Sequence, residues 1–273
     1  MTNTNNSQTI EDTLNKNNAL QELLFQLADD DFILAYRGSE WLGLAPHIEE
    51  DVAFSSISQD TMGHSAIFYQ LLEDLKVGNA NDLAHSRPAS VRRNAILLEK
   101  VNGPGHYLVE PRYDWAFAVV RNYFYVLAKK VKIDSLKNSS YKPLAEAAVK
   151  VNLELFYHIL HWKTWFTQLL KAGGEAKTRM EAAIQIVANE MEDVLQLGSL
   201  EKEMVKYGFI DCSKDLKEHW FRLMQPVLDD VQVTLPPFAM KSGNGRKGEH
   251  TKDLDEALST LSEVYQLDTS ATW

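Results

Sequence analysis

Apolar residues recur through the first half of the chain at the three-to-four-residue interval of an α-helix. Leu20, Leu24, Leu27, Asp31 and Leu34 fall at i, i+4, i+7, i+11 and i+14, which predicts an amphipathic helix stopping at the Gly38 to Gly43 turn with an acid on its core stripe. After Pro46 the acids Glu49, Glu50 and Asp51 suit the positive end of a helix dipole, and Ala53, Ile57, Asp60, His64, Ile67, Leu71 and Leu75 mark a second stripe. A third helix begins near Pro111 with Tyr113, Phe117, Val120, Phe124, Leu127 and Val131. Pro143 opens a fourth, which runs to Ala172 on Ala148, Leu155, Ile159, Trp162, Phe166 and Leu169. The long connection from Gly78 to Pro111 carries a short helix near Val91 to Val101, and Asn102-Gly103-Pro104-Gly105 closes it. Beyond Gly173-Gly174, helices are expected over 176–197, from Ser199 to Gly208, after Ser213 with a bend or break at Pro226, and from Leu254 onward. No useful run alternates with the period of a strand.

Four long helices joined by short, long and short connections predict an all-α fold, a ferritin-like four-helix bundle with additional C-terminal helices. Residues 1–17, rich in Asn, Thr and Ser, read as a disordered tail. Residues 18–273 read as a single helical domain, with the core bundle over 18–174 and peripheral helices over 175–273.

Composition narrows the chemistry. A net charge of −10 argues against broad attachment to nucleic acid or an anionic membrane, since both need a basic face. The start of the chain lacks the basic and apolar blocks of a secretion signal, and a cytoplasmic location is expected. Cys212 is the single cysteine, which leaves carboxylates and histidines as metal ligands. The six Trp and ten Tyr suit either a packed core or extended protein contacts.

A di-iron carboxylate bundle requires one Glu from each of two helices and a Glu-x-x-His pair from each of the other two. This chain departs from that pattern at several points. The first helix offers Asp30 or Asp31; the second offers Asp60, with Gly63 where His is wanted and His64 one residue late. The third presents Arg121 and Asn122 instead of an acid, and the fourth has His158 with Leu155 at i−3 and Glu154 at i−4. No resident metal is expected. Asp31, Asp60, His64, Arg121, Glu154 and His158 are read as a vestigial polar cluster satisfied by hydrogen bonds and ion pairs. His158 with His161 has the spacing of a helical zinc pair but no evident third ligand, and Gly243 to Gly248 resembles a phosphate loop without the strand that should precede it.

Two stretches carry a family resemblance: LADDDFILAYRGSEWLGLAPHIEEDVAFSSISQDTMGHSAIFYQLL and the tail GNGRKGEHTKDLDEALSTLSEVYQLDTSATW. Together they resemble the PaaC family of bacterial phenylacetyl-CoA oxygenase (ring 1,2-epoxidase) subunits, over about Gln21 to Trp273. The resemblance implies a ferritin-like structural subunit, non-catalytic by itself, paired with a PaaA-type catalytic subunit in a hetero-oligomer. It also implies that di-iron, NADPH, FAD and iron–sulfur belong to the partners. Arg246 and Lys247 then become candidate contacts for a CoA phosphate or a partner. Two other readings stand beside this one: an independent metal-dependent oxidase with an irregular site, and a homo-oligomeric bundle without catalysis.

Overall fold

Four long helices lie side by side in the computed structural model, which describes residues 2–271, with side chains from residue 11 onward. These are α1 (Thr2–Ser39), α2 (Ile48–Asp74), α5 (Trp115–Leu136) and α6 (Lys142–Ala172). Helix α1 packs along α2, and α5 along α6. The middle connection holds two short helices, α3 (Ala80–His85) and α4 (Ile96–Glu99). After the bundle come α7 (Gly174–Ala188), α8 (Glu201–Lys206), α9 (Ser213–Val231) and α10 (Lys252–Leu267). Among the described residues the sole β-type pairing is the isolated bridge between His106 and Val109, and no helix is long and apolar enough to cross a membrane.

The four long helices expected are present, with instructive shifts, and the helix expected over 176–197 ends at Ala188. Helix α1 starts at Thr2 rather than at 18. A helix already nucleated by packing from Ala19 onward extends at little cost through residues of modest propensity. Asp12, in the exposed stretch 11–18, accepts from Lys206 Nζ (2.6 Å) and from the Tyr207 hydroxyl (2.8 Å). Helix α9 runs through Pro226 without a break.

The buried face of α2 is turned from the expected stripe. It centres on Phe54, Ser58, Thr61, Ser65 and Phe68, while Ile57 and Ile67 lie half-buried at its edge. Its hydroxyls are satisfied by main-chain carbonyls, Ser58 on Phe54 (2.8 Å), Thr61 on Ile57 (2.7 Å) and Ser65 on Ala28 (2.9 Å), so polar residues sit at the core without a penalty that hydropathy would register.

Helix α5 is central. Every residue from Ala116 to Lys129 is buried, because α6, α7 and α9 all pack on it. The tryptophans mostly fill the core: Trp41, Trp115 and Trp162 surround Phe54 at centroid distances of 4.8 to 6.4 Å, and Trp220 on α9 donates to the Phe124 carbonyl (3.1 Å). The connection between α3 and α5 passes through the interior, with Ala95, Ile96, Leu97 and Leu98 fully buried. Its backbone donors are taken by acids, Ala95 N by Asp30 (2.8 Å) and Ile96 N by Asp193 (2.9 Å).

Candidate functional site

Asp29, Asp30 and Asp31 are consecutive on α1, so their side chains leave the helix about 100° apart and cannot share a face. All three are nevertheless buried, and each meets its own cations. Asp29 accepts from Arg87, from Arg92 Nη1 (3.2 Å), from the Tyr69 hydroxyl (2.5 Å) and from Arg93 N (2.9 Å). Burial would raise its carboxyl, but the two guanidiniums outweigh that and hold it below the ordinary carboxylate value.

Asp30 forms a two-pronged pair with Arg246, Nη1 to Oδ1 at 2.8 Å and Nη2 to Oδ2 at 2.7 Å, with Lys132 Nζ at 3.7 Å. Lys132 is pushed down to about 8, first by burial and then by repulsion from Arg246. Because the folded value lies below the unfolded 10.5, the charged lysine destabilises the fold fully below pH 8, and the penalty fades as pH rises toward 10.5. Lys132→Met is therefore expected to raise stability at pH 7 by up to about 3 kcal/mol, an advantage that shrinks in alkali. Paired urea titrations of the two proteins at neutral and alkaline pH test this.

Asp31 points to the remaining side, toward α5. Its Oδ2 accepts from Lys129 Nζ (2.7 Å) and its Oδ1 from the Tyr125 hydroxyl (2.8 Å), both on α5. Lys129 Nζ also lies 2.7 Å from His64 Nδ1 on α2, and His64 Nε2 lies 2.5 Å from Glu154 Oε2 on α6. Burial, then Lys129 and His158, push His64 far below its ordinary value, so the ring is neutral. With Nε2–H donating to Glu154, the Nδ1 lone pair faces the lysine. Burial also draws Lys129 down, with the adjacent Asp31 carboxylate working against it. Beside this chain His158 Nε2 pairs with Asp60 Oδ2 (3.0 Å), and the His64 and His158 rings are 6.1 Å apart.

The cluster thus unites Asp31, His64, Glu154, Asp60 and His158, but not Arg121. That residue is a correction: its position on α5 is eight residues, about 12 Å of helix rise, from Lys129, and its guanidinium donates to the Lys100 carbonyl (2.8 Å) and to Asn102 Oδ1 (2.5 Å). Burial and nearby Arg37 lower it to about 9. Its place in the cluster is taken by Lys129, which lay off the expected stripe of its helix. The donor set does not fit a di-iron centre, because a fixed ammonium already occupies the space between the α1 carboxylate and the α2 imidazole. His158 and His161 do not act as a pair either, since His161 turns to Glu50 (3.3 Å). Both line an open cleft of about 570 Å³ between α2 and α6.

Arg246 is a second correction. Besides Asp30 its guanidinium donates to the carbonyls of Asp193 (3.0 Å) and Arg93 (2.5 Å) and is wholly buried, so it cannot meet a CoA phosphate; Lys247 is exposed. The glycines around it serve close packing. A Cβ on Gly245 would lie 1.9 Å from the Asn94 carbonyl oxygen. The following His250 and Thr251 dock on Glu99, His250 Nδ1 at 2.7 Å and Thr251 N at 2.7 Å. Both stretches that carried the family resemblance therefore meet in one buried ion-pair system.

Fold and site together define an all-α, ferritin-like bundle in which a buried aspartate and histidine close on an internal lysine. The family model described as phenylacetic acid catabolic protein matches residues 1–273, and the chain belongs to that family. It is 22% identical over 257 residues to the C component of the 1,2-phenylacetyl-CoA epoxidase of Escherichia coli (strain K12), covering 94% of this chain and 100% of that protein.

Proposed function

We propose that this chain is a non-catalytic structural subunit of a multicomponent di-iron oxygenase that epoxidises phenylacetyl-CoA, and that it pairs with a PaaA-type catalytic subunit. The observation that carries this reading is Lys129: an ammonium hydrogen-bonded between Asp31 and His64 suits a bundle that has exchanged metal chemistry for structure. In this reading the iron, and the NADPH, FAD and iron–sulfur groups that supply electrons, reside in other subunits, and the complex is cytoplasmic.

The outer face of α6 supports a partner. Val149, Leu153, Phe156 and Leu160 follow one another at intervals of four, three and four residues, the seam by which helices pack on helices, and with Tyr157 they are between 51 and 71% exposed. Glu154, Asp60 and Glu50 border this ridge and its cleft. The occupant that fits is a helix of the catalytic subunit with an apolar seam flanked by basic residues.

The test is co-expression with a PaaA-type subunit. We expect a stable complex with iron in the partner, and Leu153→Asp with Phe156→Asp is expected to abolish co-elution while leaving helicity and melting temperature near those of the parent. Self-association through the same seam with no binding of the partner would instead support a homo-oligomer. Stoichiometric iron in the chain purified alone, with oxygen consumption lost in Asp60→Ala or His158→Ala, would overturn the proposal.

A further inference from the structure

The cluster around Lys129 has the supports of a cation site as well as its donors. A histidine that ligates a metal characteristically gives its other ring N–H to a carboxylate, which fixes the tautomer and aims the free lone pair at the ion. His64 is held in this way, with Nε2 on Glu154 and Nδ1 toward Lys129 Nζ. Asp31 is supported likewise: the Tyr125 hydroxyl holds Oδ1 and leaves Oδ2 on the same ammonium. Two oriented donors from α1 and α2, each backed by an outer partner, thus converge on one point at 2.7 Å. The cation at that point is the end of a side chain from α5, the helix that lacks the acid a metal site would need.

We infer that Lys129 is a tethered cation in a latent divalent-metal site, and that its ammonium is what keeps first-row transition ions out of this subunit. Two observations argue for a cation locus rather than an ordinary buried ion pair. The imidazole contributes a lone pair, which an ion pair with Asp31 alone would not require. Its orientation is also set from the opposite side by Glu154, a residue on a different helix. Replacing Lys129 by an acid would add a third ligand beside Asp31 and His64, enough for a divalent ion that completes its coordination with water. The inference shares Lys129 with the non-catalytic reading but not the pairing with a catalytic subunit, so cobalt binding tests it while co-elution with the partner tests the pairing.

Cobalt(II) chloride is the probe, because its visible spectrum reports nitrogen and oxygen ligation directly. The full-length chain, Lys129→Glu and Lys129→Gln are titrated with it and followed by absorbance, equilibrium dialysis and melting temperature. The parent chain is expected to show no His64-dependent binding. Lys129→Glu is expected to bind cobalt stoichiometrically and to melt higher with the ion than without it, and adding His64→Ala should remove both effects. Glu154→Gln in the Lys129→Glu background should weaken binding by roughly 10- to 100-fold through loss of the outer support. Lys129→Gln leaves two ligands and should bind more weakly at the same place, which keeps the test decisive if the acidic variant does not fold. His64-dependent cobalt binding by the parent chain would overturn the inference, as would its absence from every folded Lys129 variant.

Discussion

Arg246→Met is expected to destabilise the protein by about 3–5 kcal/mol, against little change for Lys247→Met next to it. The substitution removes both donors of the two-pronged pair with Asp30 and leaves that carboxylate buried with Ala95 N and the more distant Lys132. It also frees the carbonyls of Asp193 and Arg93, which the guanidinium satisfies in the parent. Because Arg246 lies in the segment leading to α10, while Asp30 lies on α1 and Asp193 follows α7, the loss falls on the joint between the bundle and the carboxy-terminal helices. Urea denaturation followed by circular dichroism measures the difference. Equal stability of the two variants would show that the buried pair contributes no more than its exposed neighbour.

Asp29→Ala should cost at least as much, about 4 kcal/mol or more. One carboxylate there compensates Arg92, which is fully buried, and Arg87, and it also accepts from Tyr69 and from the backbone of Arg93. Deleting it removes the counter-charge of the buried Arg92 and of the partly exposed Arg87 together, whereas deleting one of them leaves the other in place. Arg87→Met is therefore expected to be milder than Asp29→Ala. On the same helix, Asp12→Ala loses contacts with Lys206 and Tyr207 that lie in solvent and is expected to leave the denaturation curve unchanged. Thermal and urea unfolding of the three variants give the order directly. Comparable losses for Asp12→Ala and Asp29→Ala would remove the distinction between buried and exposed pairs on which the prediction stands.

The long elements were legible because each leaves a local mark. Pro143 lies in the first turn of α6, Gly173 separates α6 from α7, and the stripes of α1 and α6 mark faces that the fold buries. Legibility stopped where burial is not one-sided. A stripe locates the core only for a helix with a wet side, and α5 has none over its first turns, so Lys129 off the stripe is as buried as Leu127 on it. The α2 stripe was misplaced for the complementary reason: its centre is Ser and Thr, satisfied by carbonyls that hydropathy does not register. The ridge on α6 was also unmarked, since Leu153 and Phe156 read in sequence like any core residue.

By itself the sequence determined the class of fold, the order of its long helices and the departure of its acids and histidines from a di-iron pattern, all of which depend on residue spacing along a helix. Only the tertiary structure decided which charges meet. Three adjacent aspartates find partners on separate parts of the chain, Arg246 is consumed in the interior, and Lys129 rather than Arg121 faces Asp31 and His64. Helical periodicity fixes the direction in which a side chain leaves its own helix; what it meets there depends on how the helices are packed, and a charge tolerates burial only where that packing supplies its counterpart.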